Sequence, residues 1–123
     1  MGAIGGANHY HWEELRADSP IERIARRRIS AERMSLFQVL LERGCHVPTH
    51  SHENEQIACV LSGRIRFGLG AEDSPERVEI ELRGGEVLHL PSNTPHSADA
   101  LEDTVVLDVF SPVIEASGID PKR

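Results

Sequence analysis

Residues 44–56 read Gly44-Cys45-His46-Val47-Pro48-Thr49-His50-Ser51-His52-Glu53-Asn54-Glu55-Gln56, and the segment closes at Gly63. Two histidines stand one residue apart. In an extended chain, residues i and i+2 point to the same side. His50 and His52 therefore project together, and Gln56 keeps their parity. Three neutral donors on one face are half of a metal site. The remainder has to come from elsewhere in the chain, and His96 is the candidate. The donor set would then be His50, His52, His96 and Gln56, all uncharged, which leaves a bound cation its full charge for polarising an oxygen ligand. Imidazole suits Ni, Zn, Mn, Fe and Cu alike, so the donors imply one divalent transition metal without choosing it. The lack of a carboxylate ligand counts against an iron site of two histidines and one carboxylate.

The flanking sequence is built from short strand patterns. Upstream, Met34 to Leu41 is a largely apolar strand. Ile21 to Ile29 fits a helical or an extended period equally. Its Arg26-Arg27-Arg28 run reads first as a solvated face, with anion binding as the alternative. Downstream, Ile57 to Leu61 and Arg64 to Leu69 form a hairpin over Ser62-Gly63. Val78 to Leu82 alternates cleanly between apolar and acidic. Glu86 to Leu90 is a strand stopped by Pro91, and the loop Ser92 to Pro95 delivers His96. Thr104 to Phe110 is a strand with Asp108 set among valines and a leucine. About eight short strands, broken by frequent turn signals and with almost no helical pattern, indicate an all-β barrel or sandwich.

At 123 residues, with 27% charged and 39% hydrophobic, the chain suits one globular domain over residues 1–123. Residues 1–8, rich in Gly and Ala, and the polar residues 115–123 are expected to be flexible. His9 and His11 read as a surface pair beside Trp12, which anchors the N-terminus. The net charge of -7 argues against a nucleic-acid partner. No apolar run approaches the ~18 residues that span a bilayer, and the first ten residues lack the basic start and apolar centre of a signal peptide. Cys45 and Cys59 are expected to be free thiols, and the cytoplasm is the expected compartment. Cys59 has the wrong parity to join the metal. His46 and His89 read as surface or structural residues, and Asn54 as a residue that bulges away from the site.

The chain resembles the cupin superfamily, in particular its small single-domain members. The first cupin motif runs Gly, five residues, His-x-His, three or four residues, Glu, six residues, Gly. Gly44, His50, His52, Gln56 and Gly63 fall on those spacings, with Gln56 where Glu is usual. The second motif runs Gly, five residues, Pro-x-Gly, two residues, His, three residues, Asn. Gly85, Pro91 and His96 match, while Asn93 replaces the Gly and Ala100 the Asn. The resemblance covers about residues 30–112 and implies a double-stranded β-helix, or jelly roll, with the metal inside the barrel. It also implies a homodimer, in which the segment before residue 30 commonly exchanges or adds strands.

Within that superfamily, His50 to Gln56, Val60-Leu61-Ser62-Gly63, Pro91 to His96 and Val106 to Pro112 look like a subgroup that includes enzymes opening unsaturated uronic sugars. By that resemblance Asp108 acts as acid or base beside the metal and Phe110 stands near it. The subgroup pattern continues Ser-Pro-x-Arg, but this chain has Ile114 where the Arg would bind a substrate carboxylate. An apolar residue cannot form the bidentate pair that Arg makes. Arg26, Arg28, Arg64 and Arg66 are the candidates to substitute. Three functions follow: a metal-dependent isomerase or ring-opening enzyme on a small sugar acid, a metal-dependent dioxygenase, or a non-catalytic cupin holding a small ligand.

Overall fold

A computed structural model describes residues 2–114. The expected flexible segment 115–123 lies outside them. The fold is a jelly roll, nearly all β. Strands β1 (Gly2–Ile4) and β2 (Ala7–His9) pair antiparallel, and a single 3-10 turn follows at Trp12–Glu14. The remaining strands are β3 (Ile24–Ser30), β4 (Ser35–Leu41), β5 (His46–His50), β6 (Glu55–Ser62), β7 (Arg64–Leu69), β8 (Val78–Arg83), β9 (Val87–Leu90), β10 (His96–Ala100) and β11 (Thr104–Ser111). They form two antiparallel sheets, one ordered β5-β10-β7-β8 and the other β3-β4-β11-β6-β9. No helix of the described residues is long and apolar enough to cross a membrane.

Strict alternation is what makes these segments strands. In β4, Ser35, Phe37, Val39 and Leu41 are buried while Leu36, Gln38 and Leu40 face outward. Val60 and Val106 from the five-stranded sheet and Ile65, Phe67 and Leu82 from the other are buried in the same core. Burying each such side chain stabilises the fold by roughly 1.5–3 kcal/mol. The turn between β6 and β7 depends on Gly63. Its φ of 91° suits glycine, and a Cβ there would lie 2.2 Å from the Asp103 carbonyl oxygen. Asn93 adopts φ 63°, the left-handed conformation that Asn tolerates better than most residues. That is how the chain accommodates Asn where the second motif has Gly.

Three stretches of the sequence are placed by the strand pairing. Residues 2–9, in the segment expected to be flexible, pair with one another as a hairpin. Ile21 to Ile29, with its ambiguous period, resolves as the edge strand β3. It pairs along β4 from Ile24↔Leu41 to Ser30↔Ser35, and this tertiary pairing overrides any helical preference. The loop Ser92 to Pro95 does deliver His96, which opens β10 and pairs with both β5 and β7.

The free side of β3 is clipped by Asp18. Its backbone bridges Arg26 in both directions, at 2.9 and 2.8 Å, and its carboxylate accepts from Arg26 Nε and Nη2, each at 2.9 Å. The Arg26 hydrogen bond holds the Asp18 carboxyl below its ordinary value of 3.8. A carboxyl with a depressed folded value stabilises the fold above its unfolded value, and that contribution is lost as pH falls through the folded one. Melting curves at stepped pH should therefore show Asp18→Asn and wild type converging below pH 3.8. Curves that stay parallel to the lowest pH would remove the clip as a source of stability.

Candidate metal centre

The site lies where the two sheets meet. His50 ends β5, and its register partner across the ladder is His96, the first residue of β10. Their ring centroids are 4.3 Å apart. His52 does not sit in a strand. Continuous extended chain would set His52 on the face of His50, but the chain leaves β5 after His50 and crosses to the other sheet. His52 is carried on that crossover, 5.8 Å from the His50 ring and 5.3 Å from the His96 ring. The ligand atoms of the three histidines all lie within 4.8 Å of one another, so the group can hold a metal ion.

The tautomers follow from hydrogen bonds to nearby carbonyls. Nδ1 of His50 lies 2.9 Å from the Pro48 oxygen, Nδ1 of His52 2.9 Å from that of Asn54, and Nδ1 of His96 2.8 Å from that of Thr94. Each Nδ1 is therefore the donor, assigned by its partner. Each Nε2 keeps its lone pair for a ligand role. Burial, with the neighbouring His50 and His52, pushes His96 down to about 4 against the opposing pull of its Thr94 bond. His96 is accordingly neutral at physiological pH.

Gln56 comes from β6, in the opposite sheet. Its Nε2 donates to Asp108 Oδ1 at 2.9 Å. That orientation turns Oε1 toward His52 Nε2, 3.2 Å away. Both of these atoms carry lone pairs, so nothing but a cation or a proton between them makes the contact favourable. The donor set thus fits a metal on chemistry as well as position. His50, His52 and His96 would hold it through Nε2, and Gln56 through Oε1.

Asp108 and Phe110 share the inward face of β11 with Val106. Burial raises the Asp108 carboxyl to about 6, opposed by the Gln56 hydrogen bond. Phe110 packs edge-on against His52 at 5.4 Å and against Phe37 at 5.2 Å. Arg26, His50, Gln56, His96, Asp108 and Phe110 all line one cavity. Ile114 does not. It is buried in the core, with its N–H donating to Ser35 Oγ at 3.0 Å. His46 and His89 are exposed and pair with Asp99 and Glu55. Cys59 faces away from the cavity, and both cysteines are free. Asn54 does not line the cavity: it is buried, and its Nδ2 donates to the Pro112 oxygen at 2.6 Å. It ties the His52 crossover to the end of β11, a positioning role that a lone Asn in a polar turn does not announce.

The cupin domain family matches residues 37–110, well over half of the chain. The chain belongs to the cupin family. Among solved structures, this cupin is similar to KdgF from Halomonas sp., at 27% identity and a TM-score of 0.77, over 89% of this chain and 96% of that one. An RmlC-like cupin from Shewanella frigidimarina matches at 18% identity with a TM-score of 0.77, over 89% and 95% of the two chains. Oxalate decarboxylase from Bacillus subtilis, described for its Mn(II) centres, matches at 19% identity with a TM-score of 0.79 over 96% of this chain. This cupin spans only about a third of that decarboxylase chain, 34% of its length. At such identities the last two likenesses show the fold alone. No curated protein matches the chain.

Proposed function

We propose that this cupin is a metal-dependent enzyme that opens or isomerises a small sugar acid. The observation that carries this reading is the link His52–Gln56–Asp108. One amide touches a metal-binding imidazole and the single carboxylate of the cavity. A bound divalent metal supplies Lewis-acid polarisation of a substrate oxygen. Asp108 then takes a proton from substrate carbon or oxygen and returns it elsewhere. A carboxyl raised toward neutrality suits that exchange. Phe110 and Phe37 wall off the site and limit water. Ring opening and isomerisation leave the substrate's redox state unchanged and need no co-reactant. The KdgF likeness, over 89% of this chain and 96% of that one, supports the subgroup resemblance on which this reading draws.

The test is direct. Protein loaded in turn with Mn, Ni, Zn or Fe is mixed with an unsaturated uronate from a pectate or alginate lyase digest. Loss of the sugar's ultraviolet absorbance should run faster than its spontaneous ring-opening. No acceleration with any metal or uronate would sink the reading. A dioxygenase would use the same imidazoles with Fe(II), yet it leaves Asp108 without a task, and oxygen uptake would reveal it. Ligand binding without turnover would mark a non-catalytic module. We place the protein in the cytoplasm, where free Cys45 and Cys59 remain reduced.

We also propose a homodimer, formed through the outer face of the five-stranded sheet. The outward positions of β4, β11 and β6 carry no charge except Glu55 at one end. Leu40, Ile57, Leu61 and Val87 are exposed there. The exterior of the other sheet is dressed instead with ion pairs, Arg64–Glu81, Arg66–Glu79 and His46–Asp99. On a chain of net charge -7, two copies meet with least repulsion through the uncharged face. Light scattering should give twice the 13.6 kDa chain mass. Leu107→Glu should halve it, while Ile80→Glu on the other sheet should not. A monomeric wild type at tens of micromolar concentration would refute the dimer.

A further inference from the structure

We infer that Arg28, on the cavity side of β3, anchors the carboxylate of the ligand. The inference rests on the sugar-acid reading and names the group that gives it specificity. The inward positions of β3 run Ile24, Arg26, Arg28, so two guanidinium groups stand on one face of an edge strand. Both lie over the same ring: Arg26 Cζ is 5.5 Å and Arg28 Cζ 5.8 Å from the Phe37 centroid. Like charges brought this close need compensation. Asp18 gives both of its oxygens to Arg26, whose side chain is only 2% exposed. That accounts for one of the two charges. Arg28 is exposed, and among the described residues it has no hydrogen bond or ion pair. Its charge reaches Asp18 only through space, adding to the depression of that carboxyl. Among the described residues, one guanidinium without an acid partner therefore stands over Phe37, a residue that lines the cavity, on a protein that is acidic overall.

The register places that charge usefully. Arg28 pairs with Phe37, and Phe37 pairs with Asp108 on its other side. Arg28 and Asp108 are thus two strands apart in one row, about 10 Å between Cα atoms. A long arginine arm and a six-carbon acid together bridge that distance. The acid's carboxylate would meet the guanidinium, and its ring oxygens would point to Asp108 and the imidazoles. Arg64, Arg66 and Arg77 are committed elsewhere. Arg64 bonds Glu81 and Glu102, and Arg66 faces Glu79, all outside the four-stranded sheet. Arg77 donates to the Gly70 oxygen and to Ser97. An arginine serving only to cap Phe37 would need no anion, and this is the alternative the experiment separates.

The experiment measures binding, independent of turnover. Zn-loaded protein is titrated with galacturonate and, separately, with galactose, which lacks the carboxylate, by calorimetry or NMR. Galacturonate should bind more tightly than galactose, and added salt should weaken it. Arg28→Gln should weaken galacturonate at least about tenfold, in line with loss of a charge-assisted pair, and leave galactose unchanged. Arg28→Lys should recover part of the loss, since it restores the charge without the fork. Arg64→Gln should bind as wild type does, and matched melting curves would establish that each variant is folded. Equal galacturonate affinity in Arg28→Gln and wild type overturns the inference. So does a wild type that binds galactose as well as galacturonate. A wild type that binds galacturonate through Arg28 yet turns over no uronate would retire the ring-opening reaction and keep the anchor.

Discussion

His52→Ala should fold normally and contain no metal, against about one transition metal per chain in wild type. The residue lies on the crossover between sheets, outside the hydrogen-bonded ladders, and is only half-buried. Its removal costs the barrel one hydrogen bond, Nδ1 to the Asn54 oxygen at 2.9 Å, worth about 1 kcal/mol net. Its effect on the metal is of another order. The remaining donors would be His50, His96 and the weak amide of Gln56. Elemental mass spectrometry on both proteins reads this directly. A second reading is thermal. Metal that binds only the folded state stabilises it by about 2.7 kcal/mol at a hundredfold excess over Kd. Wild type should then melt several degrees higher on loading, and His52→Ala should not move. His46→Ala and His89→Ala remove exposed histidines paired with Asp99 and Glu55, and both should retain metal. A wild type without metal after refolding with Ni, Zn, Mn and Fe in turn would retire both enzyme readings.

The candidate metal-binding residues were legible in the sequence because their spacing is a property of two turns. Gly44 and Gly63 bracket one stretch, Gly85 and Pro91 the other, and the histidines sit at set distances from those turns. What parity could not supply was the path between them. Two-residue periodicity holds only while the strand continues, and here it ends at His50, so His52 and Gln56 reach the site from a crossover and from the opposite sheet. Asp108 stood out because a carboxylate in an apolar strand needs a partner, and Gln56 is that partner. The arginines were the hard case. Three in a row alternate in, out, in once β3 is a strand, but an amphipathic helix would have distributed them otherwise. Only the pairing with β4 decides, and that is a long-range fact. The anchoring role of Asn54 left no local signal, because its acceptor is the Pro112 oxygen, 58 residues away.

Asp108→Asn should keep its metal and lose turnover by about 10²–10⁴-fold, the range for a positioned acid or base. The amide preserves shape, and Asn Oδ1 can still accept from Gln56 Nε2, so the ligand geometry is undisturbed. What disappears is the site that takes the proton. The same substitution should act on stability in the opposite direction. In the metal-free protein the carboxyl titrates at about 6, against 3.8 for an ordinary Asp. Between those values the folded chain holds a proton that the unfolded chain has released. Stability therefore falls as pH rises through this window, and above about pH 6 the penalty is complete. A gap of that size corresponds to about 3 kcal/mol at most. The carboxyl keeps some contact with solvent through the cavity, so about 1 kcal/mol is the working expectation. Metal-free Asp108→Asn should thus melt above metal-free wild type at pH 7, and the advantage should shrink as pH is lowered from 6 toward 4. Urea unfolding of both proteins across that range measures it. A carboxylate kept only as a structural acceptor would leave turnover intact, because the Asn oxygen still accepts from Gln56. A variant that turns over at the wild-type rate would deny Asp108 the proton. Slower turnover with greater metal-free stability would mean that the fold carries a buried acid at a cost for the sake of its chemistry.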